Sequence, residues 1–266
     1  PFFNEWLYSP GYPKITATYE YSPNRQQVNI HAQQTQMDEK RGIKTFSMAI
    51  PVDIAYMVPT APHPVASVPG NLVTGSTSTS TSTTTSKVKW MKTELVFAEG
   101  ATEAHLTISV PSPPLQVIFD KKQMYTFTLS MDPGFTVLRT MALHCWSVPH
   151  RIWAAAALLE RGSPQELEVI SEMLLHREQH WGVIADVAVA LAKQHRSHKA
   201  TTILCKLLHS PSGHPSHQPR ALMSIALALG QITDPRISTA IRQFLASRRY
   251  PTLHKVDEGA LRAINS

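Results

Sequence analysis

Ile15-Thr16-Ala17-Thr18-Tyr19-Glu20-Tyr21 alternates apolar or aromatic residues with polar ones, and this period of two decides how the first half of the chain folds. Ile15, Ala17, Tyr19 and Tyr21 face one way; Thr16, Thr18 and Glu20 face the other. Ser22-Pro23-Asn24 supplies a turn, after which Val28, Ile30 and Ala32 alternate with Asn29, His31 and Gln33. The pair reads as a hairpin with one wet face. Working outward, further strands are expected at 45–54, 90–97, 104–110, 116–119 and 125–131. Short strands parted by turn signals predict an antiparallel β-sandwich over residues 14–142. Pro51 belongs at an edge or a bulge, because it has no N–H for a ladder.

Before the hairpin, Phe2, Phe3, Trp6 and Leu7 fall near helical spacing, and Pro10, Gly11 and Pro13 forbid more helix. Residues 1–13 read as the tail end of a preceding domain, with Pro1 a cut inside a longer chain. Residues 59–87 form a Pro/Ser/Thr-rich insertion with few apolar groups to offset the entropy of ordering, and read as a disordered-type loop.

After Pro149 the composition turns to Ala, Leu and His with helical periodicity. Helices are expected at 151–161, 164–176, 181–194, 199–209, 220–232, 235–247 and 253–264. Pro164 and Pro235 sit where first-turn prolines belong, and Asp234 is placed to cap the second of these. Ala157-Leu158, Ala190-Leu191, Ala228-Leu229 and Ala263-Ile264 recur at intervals of roughly 35 residues, the repeat of stacked helix pairs. Residues 143–266 therefore read as an α-solenoid of HEAT-like helix pairs. Its last helix lacks a partner, which implies truncation. The fold class is α+β in two domains, sandwich then solenoid.

The chain has 266 residues, 42% of them hydrophobic, enough for two cores. Its formal charge of +6 is uneven, with ten of the thirteen histidines after residue 140. No block of five like charges occurs, so a nucleic-acid partner is not indicated; Arg242, Arg248, Arg249 and Tyr250 make a short basic-aromatic patch that reads as an exposed turn. No apolar run approaches the ~18 residues of a membrane span. Cys145 and Cys205 read as free thiols, which favours a reducing compartment. Trp90, Trp146, Trp153 and Trp181 read as core or domain-junction anchors.

Four passages carry a family resemblance. Phe2-Phe3-Asn4-Glu5-Trp6-Leu7-Tyr8-Ser9-Pro10-Gly11-Tyr12-Pro13 resembles an F-F-x-x-W-x-x-x-P-G-x-P run, and Gln34-Thr35-Gln36 a hairpin-ending Q-x-Q. Met131-Asp132-Pro133-Gly134 through Val137-Leu138-Arg139 resembles a strand exit into a helical domain. Trp181-Gly182-Val183-Ile184-Ala185-Asp186-Val187-Ala188 is similar to a W-G-V-R-x-E-A-A helix, with Ile184 for the usual Arg and Asp186 for the usual Glu. Together they resemble the C-terminal region of aminopeptidase N-like zinc metallopeptidases. The resemblance implies a non-catalytic segment that roofs the cleft of a catalytic domain in the same parent chain and limits peptide access. The alternative is a catalytically dead scaffold or protein-interaction module with a partner on its solenoid face, as in the aminopeptidase-like subunit of the general transcription factor TFIID.

The chemistry of that family needs H-E-x-x-H, whose two His share one zinc while the Glu activates its water, a distant Glu ligand and a G-x-M-E-N strand. None occurs between Pro1 and Ser266. Catalytic and cofactor-binding residues are therefore assigned to none, and zinc is expected in a preceding catalytic domain. The nearest counterpart is His176-Arg177-Glu178-Gln179-His180, which makes His176 and His180 the candidate metal ligands; with Arg177 at the position of the base, the alternative reading is a wet inter-helix turn. A second group, His195, His198, His209, His214 and His217, reads as solvated loop residues. No phosphate loop, dinucleotide turn or nucleophile elbow is present.

Overall fold

A computed structural model describes residues 2–59, 86–194 and 197–247, and it is α+β, with two β-sheets followed by helices. Most of the insertion, the helix expected at 253–264, His195 and Arg248-Arg249-Tyr250 lie outside the described residues. The chain forms two compact units, Pro1–Met141 and Ala142–Ser266.

In the first unit, a short helix α1 (Phe2–Trp6) precedes strands β1 (Lys14–Ser22), β2 (Gln27–Gln34), β3 (Met48–Pro59), β4 (Ser86–Phe97), β5 (Glu103–Ser109), β6 (Pro114–Phe119) and β7 (Thr128–Met131). One sheet has the order β5-β2-β1-β7 and the other β4-β3-β6. The expected hairpin is β1–β2, antiparallel in register from Ile15 opposite Gln34 to Ser22 opposite Gln27. Ile15, Ala17, Val28, Ile30 and Ala32 are its buried face, while Ile50, Val52, Ile54, Leu95, Phe97, Val117 and Ile118 are buried in the second sheet. Not every pairing is antiparallel: β7 runs parallel to β1, a pairing of distant segments that a local pattern cannot reveal.

Two expectations are corrected here. Pro51 sits in β3, the central strand of its sheet, rather than at an edge. The β6 ladder begins only at Val52 opposite Phe119, and the Pro51 carbonyl accepts the Asp120 amide at 2.7 Å. The missing N–H thus lies at the end of a ladder, where it costs no bond. β3 and β4 also run further than their apolar pattern, pairing out to Pro59 opposite Ser86, so the strands that flank the insertion are partners of each other.

Helix α2 (Phe135–His144) was not expected; its apolar residues Val137, Leu138, Met141 and Ala142 are buried at helical spacing. Asp132 Oδ1 accepts the Gly134 amide at 2.8 Å, and Gly134 has φ +87°, so Asp-Pro-Gly forms the turn from β7 into α2.

The second unit continues with α3 (Val148–Arg161), α4 (Pro164–Glu172), α5 (Trp181–Ala192), α6 (His198–Leu208), α7 (Pro219–Gly230) and α8 (Pro235–Ser247). α5 packs on α3 and α7, and α6 packs on α4 and α8. α5 buries Val183, Ile184, Val187, Ala188 and Leu191, and buried alanines at Ala154, Ala155, Ala188 and Ala228 let these helices approach closely. Asp234 Oδ1 accepts the Arg236 amide at 2.9 Å, the expected cap of α8. Among the described residues no helix is long and apolar enough to cross a membrane.

Trp90 and Trp146 are not core anchors: they are 42% and 55% exposed. Trp90 lies on the exposed face of β4, opposite Ala55, and Lys121 Nζ stands 5.8 Å from its ring centroid. Trp153 and Trp181 are half-buried.

Candidate functional site

The segment with metal-ligand spacing does not form one helical face. α4 passes into a π-helical turn, Met173–Arg177, and Glu178 is then extended at φ −73°, ψ 124°. His180 is the N-cap of α5, its Nδ1 accepting the Gly182 amide at 3.1 Å. His176 and His180 are thus on opposite sides of a break, both exposed. The i, i+4 geometry that converges two imidazoles on one ion holds only within a continuous helix.

Glu178 is committed elsewhere. It is buried, and its two carboxylate oxygens accept Arg151 Nε and Nη2 at 2.8 Å each. Oε1 also accepts the His180 amide at 2.8 Å. Arg151 Nη1 donates to the carbonyls of Cys145 and Trp146 at 2.9 and 3.1 Å. The pair ties the α2–α3 loop to the α4–α5 loop through bidentate, charge-assisted hydrogen bonds that engage both carboxylate oxygens. A cleft of about 410 Å³ opens over this pair, lined by Leu143, Cys145, Arg151, Met173, Glu178 and His180 among others.

The second histidine group is dispersed over several elements. His198 starts α6, with Nδ1 2.9 Å from Arg236 Nη2; His209 follows the same helix, with Nδ1 2.9 Å from the Cys205 carbonyl. His214 caps the short 3-10 turn Pro215–His217, its Nδ1 accepting the Ser216 amide at 3.2 Å. Among the described residues these histidines form no group of three converging ligand atoms. Burial lowers the His214 pKa below its ordinary value, outweighing a hydrogen bond to the Leu174 backbone that raises it, and His176 lowers it further. An acceptor role also requires the neutral ring. A histidine depressed in the folded state contributes stability that is full above about pH 6.5 and is lost as pH falls through its lower folded value. Thermal melts at pH 7.5 and 5.5 should therefore show a drop that shrinks in His214→Asn; an unchanged drop refutes the assignment.

A larger cleft of about 480 Å³ lies between α6 and α8, lined by Thr202, Cys205, His209, Arg236, Ala240 and Gln243 among others. Burial pushes the Cys205 thiol up, away from the thiolate that nucleophilic chemistry needs. Asp234, beside this cleft, is held down to about 2 by hydrogen bonds from Arg236, so it is a fixed anion and a poor proton shuttle.

The passages at the chain's start gain a physical role that their sequence did not disclose. The Trp6 ring packs on Phe46, with centroids 5.1 Å apart, and on Tyr125 at 5.6 Å. Glu5 accepts the Ser47 hydroxyl at 2.6 Å and also its amide. Phe46 is in turn held by Gln34, whose Oε1 accepts its N–H at 2.9 Å and whose Nε2 donates to its carbonyl at 2.8 Å. Gln36 Nε2 donates to Gln34 Oε1 at 2.7 Å and to the Lys44 carbonyl at 3.1 Å, while Gln36 Oε1 accepts the Lys14 amide at 3.0 Å. Gln34-Thr35-Gln36 is therefore a buried amide clamp on the loop that receives Trp6. Gly11 has φ +90°, and a Cβ there would stand 2.9 Å from Ile43 Cγ2. Gly11→Ala should cost about 1–3 kcal/mol in urea unfolding; wild-type stability would show that the loop moves freely.

No family model matches the chain, and no curated protein matches it. Among solved structures it is similar to the crystal structure of Legionella pneumophila aminopeptidase A in complex with aspartic acid. Sequence identity is 11% and the TM-score is 0.44, over 88% of this chain. The chain spans 29% of that aminopeptidase's length.

Proposed function

We propose that the chain is the non-catalytic C-terminal segment of an aminopeptidase N-like protein, in which the two sheets close into a sandwich and the helices stack as a HEAT-like solenoid. In the parent it roofs the cleft of a zinc-bearing catalytic segment and limits entry to short peptides with a free N-terminus. The observation that carries this reading is the joining of two family-like passages in one structure. Trp6 from the first packs on Phe46, whose backbone is gripped by Gln34 from the second. Packing of α5 on α3 and α7, and of α6 on α4 and α8, supports the two-layered solenoid reading. The commitment of Glu178 to Arg151 supports a segment without its own general base.

The purified 266-residue chain, incubated with zinc and an aminoacyl-naphthylamide, should release no naphthylamine above buffer, while the parent polypeptide should. Turnover by the segment, or a parent lacking both H-E-x-x-H and turnover, overturns the proposal.

One observation favours a scaffold role instead. Met223 and Leu227 on α7, and Ile241 and Leu245 on α8, are exposed at i, i+4 spacing, which suits a protein partner. An inactive parent that still assembles with other proteins through this segment selects the second reading.

A further inference from the structure

We propose that His31, Glu103 and His105 form a surface site for a divalent transition metal, with Zn²⁺ the best match to their chemistry. The three come from two neighbouring strands of the first sheet. β2 and β5 pair antiparallel with His31 directly opposite His105. Glu103 is two residues from His105 along β5, so the strand's period of two projects it from the same side.

The imidazole rings are stacked, 4.3 Å apart at their centroids and 9° from parallel. Glu103 Oε2 lies 3.5 Å from His31 Nε2 and 4.0 Å from His105 Nε2, and one ligand atom from each residue falls within 4.8 Å of the others. These separations are too long for good hydrogen bonds. They are close to what an ion needs: with metal–ligand bonds of about 2.0–2.1 Å, tetrahedral donors stand about 3.3 Å apart. His31 Nε2 adds a second, independent sign, for it is shielded from solvent and has no hydrogen-bond partner. A donor atom that has given up water without a protein partner is the atom a metal would satisfy.

The surroundings suit a dication. Along the ladders, Thr18 stands opposite His31 on its other side, and Gln33 stands opposite Glu103. The next pair, Asn29 and Thr107, is joined by a 3.0 Å hydrogen bond. These neighbours are neutral, so no cation in the adjoining register positions competes for Glu103. β5 is the outermost strand of its sheet, which leaves the site open to solvent. Two imidazole nitrogens and a carboxylate are a borderline set that prefers Zn²⁺ and its transition-metal neighbours to Ca²⁺ or Mg²⁺. Three protein ligands leave a fourth position for water or an added ligand. The strands are held by their backbone ladders, so closing the set requires only side-chain rotation. This site is independent of the zinc expected in a parent's catalytic segment.

The test uses the full 266-residue chain, stripped with a chelator and titrated with Co²⁺ and then Zn²⁺. Wild type should develop the visible absorption bands of four- or five-coordinate Co²⁺, saturating at one ion per chain and abolished by Zn²⁺. His31→Gln, His105→Gln and Glu103→Gln should each weaken binding by at least about tenfold, since even outer-shell partners are worth that much. The double variant His176→Gln/His180→Gln should bind as wild type does. Apo melting curves identify any variant that fails to fold, and the remaining two then decide. Absence of the bands in wild type, or binding that survives His31→Gln/His105→Gln, overturns the proposal.

Discussion

Glu178→Ala should lower the unfolding free energy by about 3–5 kcal/mol, the cost of breaking a buried ion pair from one side. The Glu178 side chain is 2% exposed and that of Arg151 15% exposed, and the guanidinium would keep two backbone carbonyls but lose its counter-ion. The His180 amide would lose its acceptor as well, which loosens the entry to α5. Urea unfolding followed by circular dichroism measures the effect. Glu178→Ala combined with Arg151→Met should recover much of the loss, because removal of both charges leaves none stranded. A single-variant loss below about 1 kcal/mol would mean that water already reaches the pair.

Gln34→Ala should cost about 3 kcal/mol or more. Gln34 is fully buried and holds both backbone polar groups of Phe46. Truncation strands an N–H and a C=O, at about 1–3 kcal/mol each, and leaves Gln36 Nε2 with one acceptor fewer. The loop that receives Trp6 should loosen with it, so amide exchange at residues 44–47 should accelerate more than exchange in β3. Uniform acceleration across the unit would instead mean that Gln34 supports the sheet as a whole.

The residues themselves show why some features were legible and others not. The β1–β2 hairpin and α8 were readable because alternation at Ile15–Tyr21, the Ser22-Pro23-Asn24 turn and the Asp234-Pro235 start are local signals. α2 is less legible although Val137, Leu138, Met141 and Ala142 carry its spacing, because Asp132-Pro133-Gly134 reads as a strand exit. The break at 176–180 was legible as the gap between the helices expected at 164–176 and 181–194. The π turn and the contact of the extended Glu178 with Arg151, 27 positions earlier, have no local signal. A large ring is usually core, but Trp90 shares the exposed alternation of β4 with Val88, Lys92, Glu94 and Val96, while Leu95 and Phe97 take the buried one.

The sequence by itself determined that a period-two stretch is followed by a period-3.6 one, and so an α+β chain with strands first and helices after. It also determined that no H-E-x-x-H lies within these residues. Only the tertiary structure decided which distant residues meet: Trp6 with Phe46, Arg151 with Glu178, and His31 with Glu103 and His105. Periodicity is written in neighbours a few positions apart, whose side chains share a face by covalent geometry alone. Register between strands and docking between loops follow from the packing of the whole core, and no local pattern encodes that.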